Sequence, residues 1–323
     1  MKKILTSLLL VCAMVAAGPV AKAAAADNYP SKPITLILPF AAGNTLDISA
    51  RIVSEYLQKK HNITLLVTPK PGGSGVPASL EVKNAKPDGY TLGYSSANVL
   101  TVLPQFKNTG FTYKDFKYIA QINVSPMVWA VRTDSGIKDI EDLMKKSEEK
   151  GKYNLSSPGA FTAQRFYHDN IMQRYPKSDL PYVPYNGGAE VLSALIGKHV
   201  SVGFFPLMSA KPYLATGELS LLATSSGKRL KDYPDIPTFT DLYGKGFIYD
   251  AVYGMIAPAK TPDAIIEKMQ NLMKEALEDP EVQEKFAKVN MTCDYLPSNE
   301  WKDVVQYYQD VFSEPISKAK NLK

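Results

Sequence analysis

One unit returns along this chain and constrains what it can fold into. A short apolar run ends in a turn of glycine and hydroxyl residues, and an amphipathic stretch follows. ITLILPF at 34–40 leads through AAGNT into a helical pattern over 46–57. ITLLVTP at 63–69 enters PGGSG at 71–75, and YTLGYSS at 90–96 enters the small-residue segment SSAN. The unit continues with SPMVWAV (125–131), YNLSSPGAFTAQRF (153–166), YVPYNGG (182–188), HVSVGFF (199–205), LSLLATS (219–225) and AVYGMIAPA (251–259). The chain then reads as helix: TPDAIIEKMQNLMKEAL from 261, PEVQEKFAKV from 280 and NEWKDVVQYYQDVF from 299, with Pro262 and Pro280 suited to first helical turns. Crossovers long enough to hold a helix predict an α/β fold with largely parallel sheets.

The first 26 residues stand apart. MKK precedes the apolar run ILTSLLLVCAMVAA at 4–17, and small residues flank cleavage points after Ala23 and Ala26. This is the pattern of a cleaved export signal, too short for a retained span. Removing Lys2, Lys3 and Lys22 lowers the basic count from 37 to 34 against 32 acidic residues. That balance speaks against a nucleic-acid partner, which calls for a concentrated basic footprint. Cys12 lies inside the signal without the small residue before it that a lipid anchor needs, and Cys293 is left alone. The expectation is a soluble, unanchored periplasmic protein without a disulfide.

Catalytic and metal patterns are sparse. His61, His168 and His199 are far apart and form no metal-ligand spacing. Only His168, after the SSPG turn, is placed to approach a ligand. A GxSxG elbow and a phosphate-binding lysine loop are both missing. Gly73, Gly75 and Ala78 outline a dinucleotide fingerprint, but no acidic residue follows about 20 positions on and Pro77 interrupts the helix start. No catalytic residue, cofactor or metal is expected.

What recurs is the turn itself. Loops at strand C-terminal ends converge on one crevice in open α/β sheets, where N–H groups and helix N-termini attract anions. Asp47 either caps the helix after AAGNT or receives a ligand group, and Arg51, four residues on, is placed to pair with it.

The segments YPSKPITLILPFAAGNTLDISARIVSEYL, PKPGGSGVPASLEVKNAKPDGYTLGYSS, YKDFKYIAQI, VPYNGGAEVLSALIGKHVSVGF, ATGELSLLATSSGKRLKDYPDIPTF and YGMIAPAKTPDAII, in this order, are specific in combination. The chain resembles the extracytoplasmic solute-binding receptors of the tripartite tricarboxylate transporter family, also called Bug receptors. The resemblance runs from Tyr29 almost to the C-terminus. It implies a two-domain periplasmic-binding-protein fold, type II-like, with a ligand cleft between the domains. It also implies a small carboxylate ligand (a di- or tricarboxylate, an amino acid or an aromatic acid) and delivery to the membrane subunits of a tripartite transporter. A monomer is expected. An exported enzyme of small carboxylates, and a binding protein serving a sensor or another importer, are the alternatives.

Carried onto this sequence, the resemblance places Ala42, Gly43, Asn44, Thr45 and Asp47 in one ligand loop. Ser156, Ser157, Gly159, Ala160, Phe161 and Thr162 form the opposite loop. Ser95, Ser96, Asn98, Tyr185, Asn186 and Gly187 complete the wall. Thr45 and Ser157 are expected to help anchor the carboxylate. Asn44, where the family has a second glycine, and Phe161 are expected to shape selectivity. The return of AVYGMIAP before three helical stretches predicts a discontinuous first domain, 28–123 plus 247–323, around a second, 124–246.

Overall fold

The computed structural model describes residues 28–160, 162–244, 247, 249–289 and 291–321. The expected export signal and Phe161 lie outside the described residues. β1 (Ile34–Leu38), β2 (Leu65–Pro69) and β3 (Thr91–Ser96) alternate with α1 (Thr45–His61), α2 (Val76–Asn84) and α3 (Ala97–Phe106). β4 is one long strand, Phe116–Arg132, followed by α4 (Ile140–Lys146). Next come β5 (Leu155–Pro158), α5 (Ala163–Met172), β6 (Tyr182–Tyr185), α6 (Gly188–Ile196), β7 (Val202–Pro206) and α7 (Leu207–Ala215). β8 (Leu219–Thr224), α8 (Phe239–Tyr243) and β9 (Asp250–Pro258) precede the closing helices α9 (Asp263–Glu278), α10 (Pro280–Lys288) and α11 (Ser298–Asn321). A strand, β10 (Thr292–Pro297), separates α10 from α11.

The strands pair in the order β2-β1-β3-β9-β4-β7-β5-β6, with β8 and β10 also on β4. The expectation of largely parallel sheets is corrected here. β1 pairs with β2 and β3, and β5 with β6 and β7, in parallel. β9 runs antiparallel to β3, and β4 runs antiparallel to all four of its partners. Helical crossovers enforce parallel pairing only within each set, whereas β4 and β9 join the sets.

β4 exchanges partners part-way along. Residues 116–126 pair with β9, ending at Pro126 against Asp250, and residues 127–131 pair with β7, starting at Met127 against Pro206. Pro126 has no N–H to offer the ladder, so a change of partner there sacrifices little. The result is a two-domain α/β fold of the periplasmic-binding-protein type, with a cleft beside the crossing strands. Trp129, Tyr167, Phe204, Phe239, Tyr249 and Phe312 are fully buried near the crossing. Phe312 of α11 meets both Phe166 and Tyr167 of α5 edge-on, at centroid distances of 5.7 and 6.2 Å.

Candidate functional site: an anion-binding cleft between two lobes

A cavity of about 380 Å³ opens in the cleft. The first turns of five helices reach its wall: Asn44 to Leu46 at α1, Ser96 with Asn98 and Val99 at α3, Thr162 and Gln164 at α5, Gly187 to Ala189 at α6, and Pro206 with Met208 and Ser209 at α7. All five helices follow strand ends, and because β1 and β3 run opposite to β5, β6 and β7, the two sets of N-termini face each other across the crossing. Each contributes the positive end of its dipole and whatever N–H groups its cap leaves uncommitted. Together they make a site for negative charge that needs no cationic side chain.

The local chemistry of the first loop is closed on itself. Asn44 is the cap of α1, its Oδ1 accepting from Leu46 N at 2.8 Å and Asp47 N at 3.2 Å. Its amide nitrogen donates to the Ala41 carbonyl. Asn44, not Asp47, therefore caps the helix. Asp47 accepts instead from Gly43 N at 2.9 Å and pairs with Arg51 through two hydrogen bonds of 2.9 and 3.0 Å. Burial pulls the Asp47 carboxyl upward, but the Arg51 guanidinium and the Gly43 N–H outweigh it and hold it below the usual carboxylate range. Asp47 thus fixes the loop from beneath.

The expected site residues divide in three. Gly43, Asn44, Thr45, Ser96, Asn98, Thr162 and Gly187 line the main cavity. Gly159, Ala160, Tyr185 and Asn186 line an adjoining cavity of about 320 Å³, which shares Phe40 and Ser74 with the first. Ala42, Asp47, Ser95, Ser156 and Ser157 are in neither wall. The two serines lie on β5 between β6 and β7, fully buried, with Ser156 Oγ donating to the Val202 carbonyl at 3.2 Å. Ser157 thus lies off the wall of both cavities.

Asn98 is the most informative side chain in the wall. It is 5% exposed, and neither its oxygen nor its nitrogen has a hydrogen-bond partner. Orphaned buried amides are uncommon in native proteins and point to a missing partner.

Sequence reasoning missed Ser74, Met127, Gln164, Met208, Ser209, Tyr249 and Tyr253, all of which line the main cavity. Tyr249 donates to Gln164 Oε1 at 3.2 Å, and burial raises the Tyr253 phenol with the Thr45 hydroxyl opposing. A signal existed for Met208 and Ser209, since GFFPLMS repeats the strand-to-helix turn already read elsewhere. His168 is buried, with Nε2 2.6 Å from the Leu180 carbonyl and Nδ1 3.0 Å from Asp169, outside the cavity wall. Burial pushes the Cys293 thiol up to about 11, which leaves it inert. Among the described residues no three His, Cys, Asp or Glu side chains gather as a metal site. None of the described helices is long and apolar enough to cross a membrane.

The family model for receptors of tripartite tricarboxylate transporters matches residues 49–322. The chain belongs to this family. A UPF0065 protein of Bordetella pertussis is 31% identical over 306 residues, covering 94% of both chains. The periplasmic binding protein BugD superposes with a TM-score of 0.82 at 26% identity, covering 90% of this chain and 99% of that one. MatC from Rhodopseudomonas palustris, solved with bound malate, has the same fold at a TM-score of 0.80 and 22% identity, covering 89% of this chain and all of that one. The receptor is thus a periplasmic solute-binding protein of the Bug type and not an enzyme.

Proposed function

We propose that this receptor captures a small organic carboxylate in the cleft and presents it to the membrane subunits of a tripartite transporter. One observation carries the reading: five helix N-termini and the unpartnered Asn98 meet at a single cavity between the lobes. The carboxylate lies against the N–H groups of those helix starts, with Thr45, Asn98 and Thr162 as side-chain partners. Gly43, Ser96 and Gly187 bring backbone to the same wall, while Gly159, Ala160, Tyr185 and Asn186 guard the adjoining chamber. Ala42, Asp47, Ser95, Ser156 and Ser157 act beneath the wall, holding the loops. The malate held by MatC on the same fold supports the class of solute.

The lobes are taken as 28–123 plus 247–323 and as 124–246. The partner exchange on β4 between Pro126 and Met127 supports that division. Closure about 123–126 and 247–251 would bring both loop sets onto the ligand. Delivery then needs only a lobe arrangement that the membrane subunits bind and release.

Calorimetry and thermal shift on the purified receptor test the reading with malate, adipate, citrate and phenylacetate. At least one acid should bind, raise the melting temperature with the concentration dependence of mass action, and be recovered unchanged. Absence of binding by all four, or chemical turnover of any, overturns it.

A further inference from the structure

The composition of the wall narrows the solute class. Among the described residues of the main cavity only Lys288 carries a charge, and its side chain is 68% exposed and pairs with Glu284 at 2.7 Å. Charge recognition inside the cavity therefore falls on helix N-termini, and these are not equivalent. At α1, Asn44 already takes Leu46 N and Asp47 N, and Asp47 takes Gly43 N. At α3, Ser96 Oγ takes Val99 N. The residues before α5, α6 and α7 (Thr162, Gly187 and Pro206) make no side-chain cap at all. Uncommitted N–H capacity is concentrated on one lobe.

Away from the helix starts, Ser74, Tyr213, Tyr249 and Tyr253 bring hydroxyls to the wall and apolar side chains make up most of the remainder. Leu46, Ile48 and Val99 face it from one lobe, and Met127, Leu192 and Met208 from the other. A second ionised carboxylate set against these side chains would lose water without gaining a counter-charge. A ring or branched chain would instead exchange water for dispersion contacts with Tyr and Met side chains, which adapt well to apolar ligands. Asn98, buried and unpartnered, offers one donor and one acceptor to a single polar group.

We infer that the preferred solute is a monocarboxylate with an apolar, ring-sized body, its one charge held by the uncapped starts of α5, α6 and α7. This rests on the carboxylate-receptor reading. It goes beyond that reading by excluding di- and tricarboxylates as the best ligands.

The test is competition calorimetry on the intact receptor with phenylacetate, phenylacetamide, adipate and citrate. Phenylacetate should bind at least ten-fold more tightly than adipate or citrate, and phenylacetamide at least ten-fold more weakly than phenylacetate. Tighter binding of adipate or citrate overturns the inference and leaves the receptor reading intact. Equal binding of the acid and its amide overturns the charge assignment. Absence of binding by every acid overturns the receptor reading as well. Leu192→Lys supplies the cation the wall lacks and should raise adipate affinity at least five-fold relative to phenylacetate. A folded Leu192→Lys variant with an unchanged ratio would count against the placement.

Discussion

The Thr45 hydroxyl donates to the sulfur of Met208 at 3.1 Å, joining the start of α1 on one lobe to the start of α7 on the other. The same hydroxyl opposes the rise that burial imposes on the Tyr253 phenol of the crossing strand β9. Thr45 therefore touches both lobes and the strand between them, and all three residues line the main cavity. Thr45→Val keeps the shape and removes the hydroxyl, and with it the bond to the Met208 sulfur and the polar neighbour of the buried Tyr253 phenol. The expected loss is about 1–3 kcal/mol in urea unfolding. Tyr253→Phe in the Thr45→Val background removes that phenol, so the double variant should lose less than the two single losses added together. Simple additivity would mean that the two hydroxyls do not interact.

Gly159 makes a different kind of constraint. Its φ is +80°, its N–H donates to the Tyr185 carbonyl at 2.8 Å, and its carbonyl accepts from Tyr182 at 2.7 Å. A Cβ there would lie 2.6 Å from Thr162 Cγ2 and 3.3 Å from Ser74 Oγ on the facing lobe. Gly159→Ala combines a left-handed backbone, costing roughly 1–2 kcal/mol, with displacement of the residue that starts α5. Affinity should fall at least three-fold with the stability. Adding Thr162→Ser removes the methyl in the way and should recover part of both losses. A double variant no better than Gly159→Ala would assign the whole cost to the backbone.

The repeated strand–turn–helix unit made the layers and the turns that line the cavity readable, and the spacing of Asp47 and Arg51 announced their ion pair. Direction within the sheet was not readable in the same way. Buried segments such as SPMVWAV and AVYGMIAP are apolar whichever way their neighbours run, so periodicity does not reveal that β4 and β9 are antiparallel. TCDYLP escaped notice because its burial does not alternate cleanly. Within the site, turn chemistry found the loops but not the strand that faces them. Tyr249, Ala251 and Tyr253 reach the cavity by two-residue alternation along the start of β9 and its approach. Ser157 lies off both walls for the converse reason: the SSPG turn begins while the chain is still in β5.

Asp250 offers a test of the crossing that is independent of any ligand. It is the last partner of β4 before the exchange, opposite Pro126, and is absent from the main cavity wall. Ser226 donates to its carboxylate at 2.7 Å, and Tyr308 of α11 donates to its backbone carbonyl at 2.9 Å. Burial pushes its carboxyl above the ordinary value, with only the Ser226 hydroxyl opposing. An unfolded aspartate titrates near ~3.9. Between that value and the raised folded one, the folded receptor holds the extra proton, so this group makes stability fall as pH rises and level off above the folded value. Asp250→Asn has no such dependence and can still accept from Ser226. Its unfolding free energy relative to the native receptor should therefore be most favourable at pH 7 and decline as the pH falls towards 4. Urea midpoints of both proteins at pH 7, 5.5 and 4 measure the difference, while the other carboxylates contribute equally and cancel. A relative gain by Asp250→Asn on acidification would show that the native carboxylate is stabilised as an anion, and the crossing would then hold a charge rather than a buried acid.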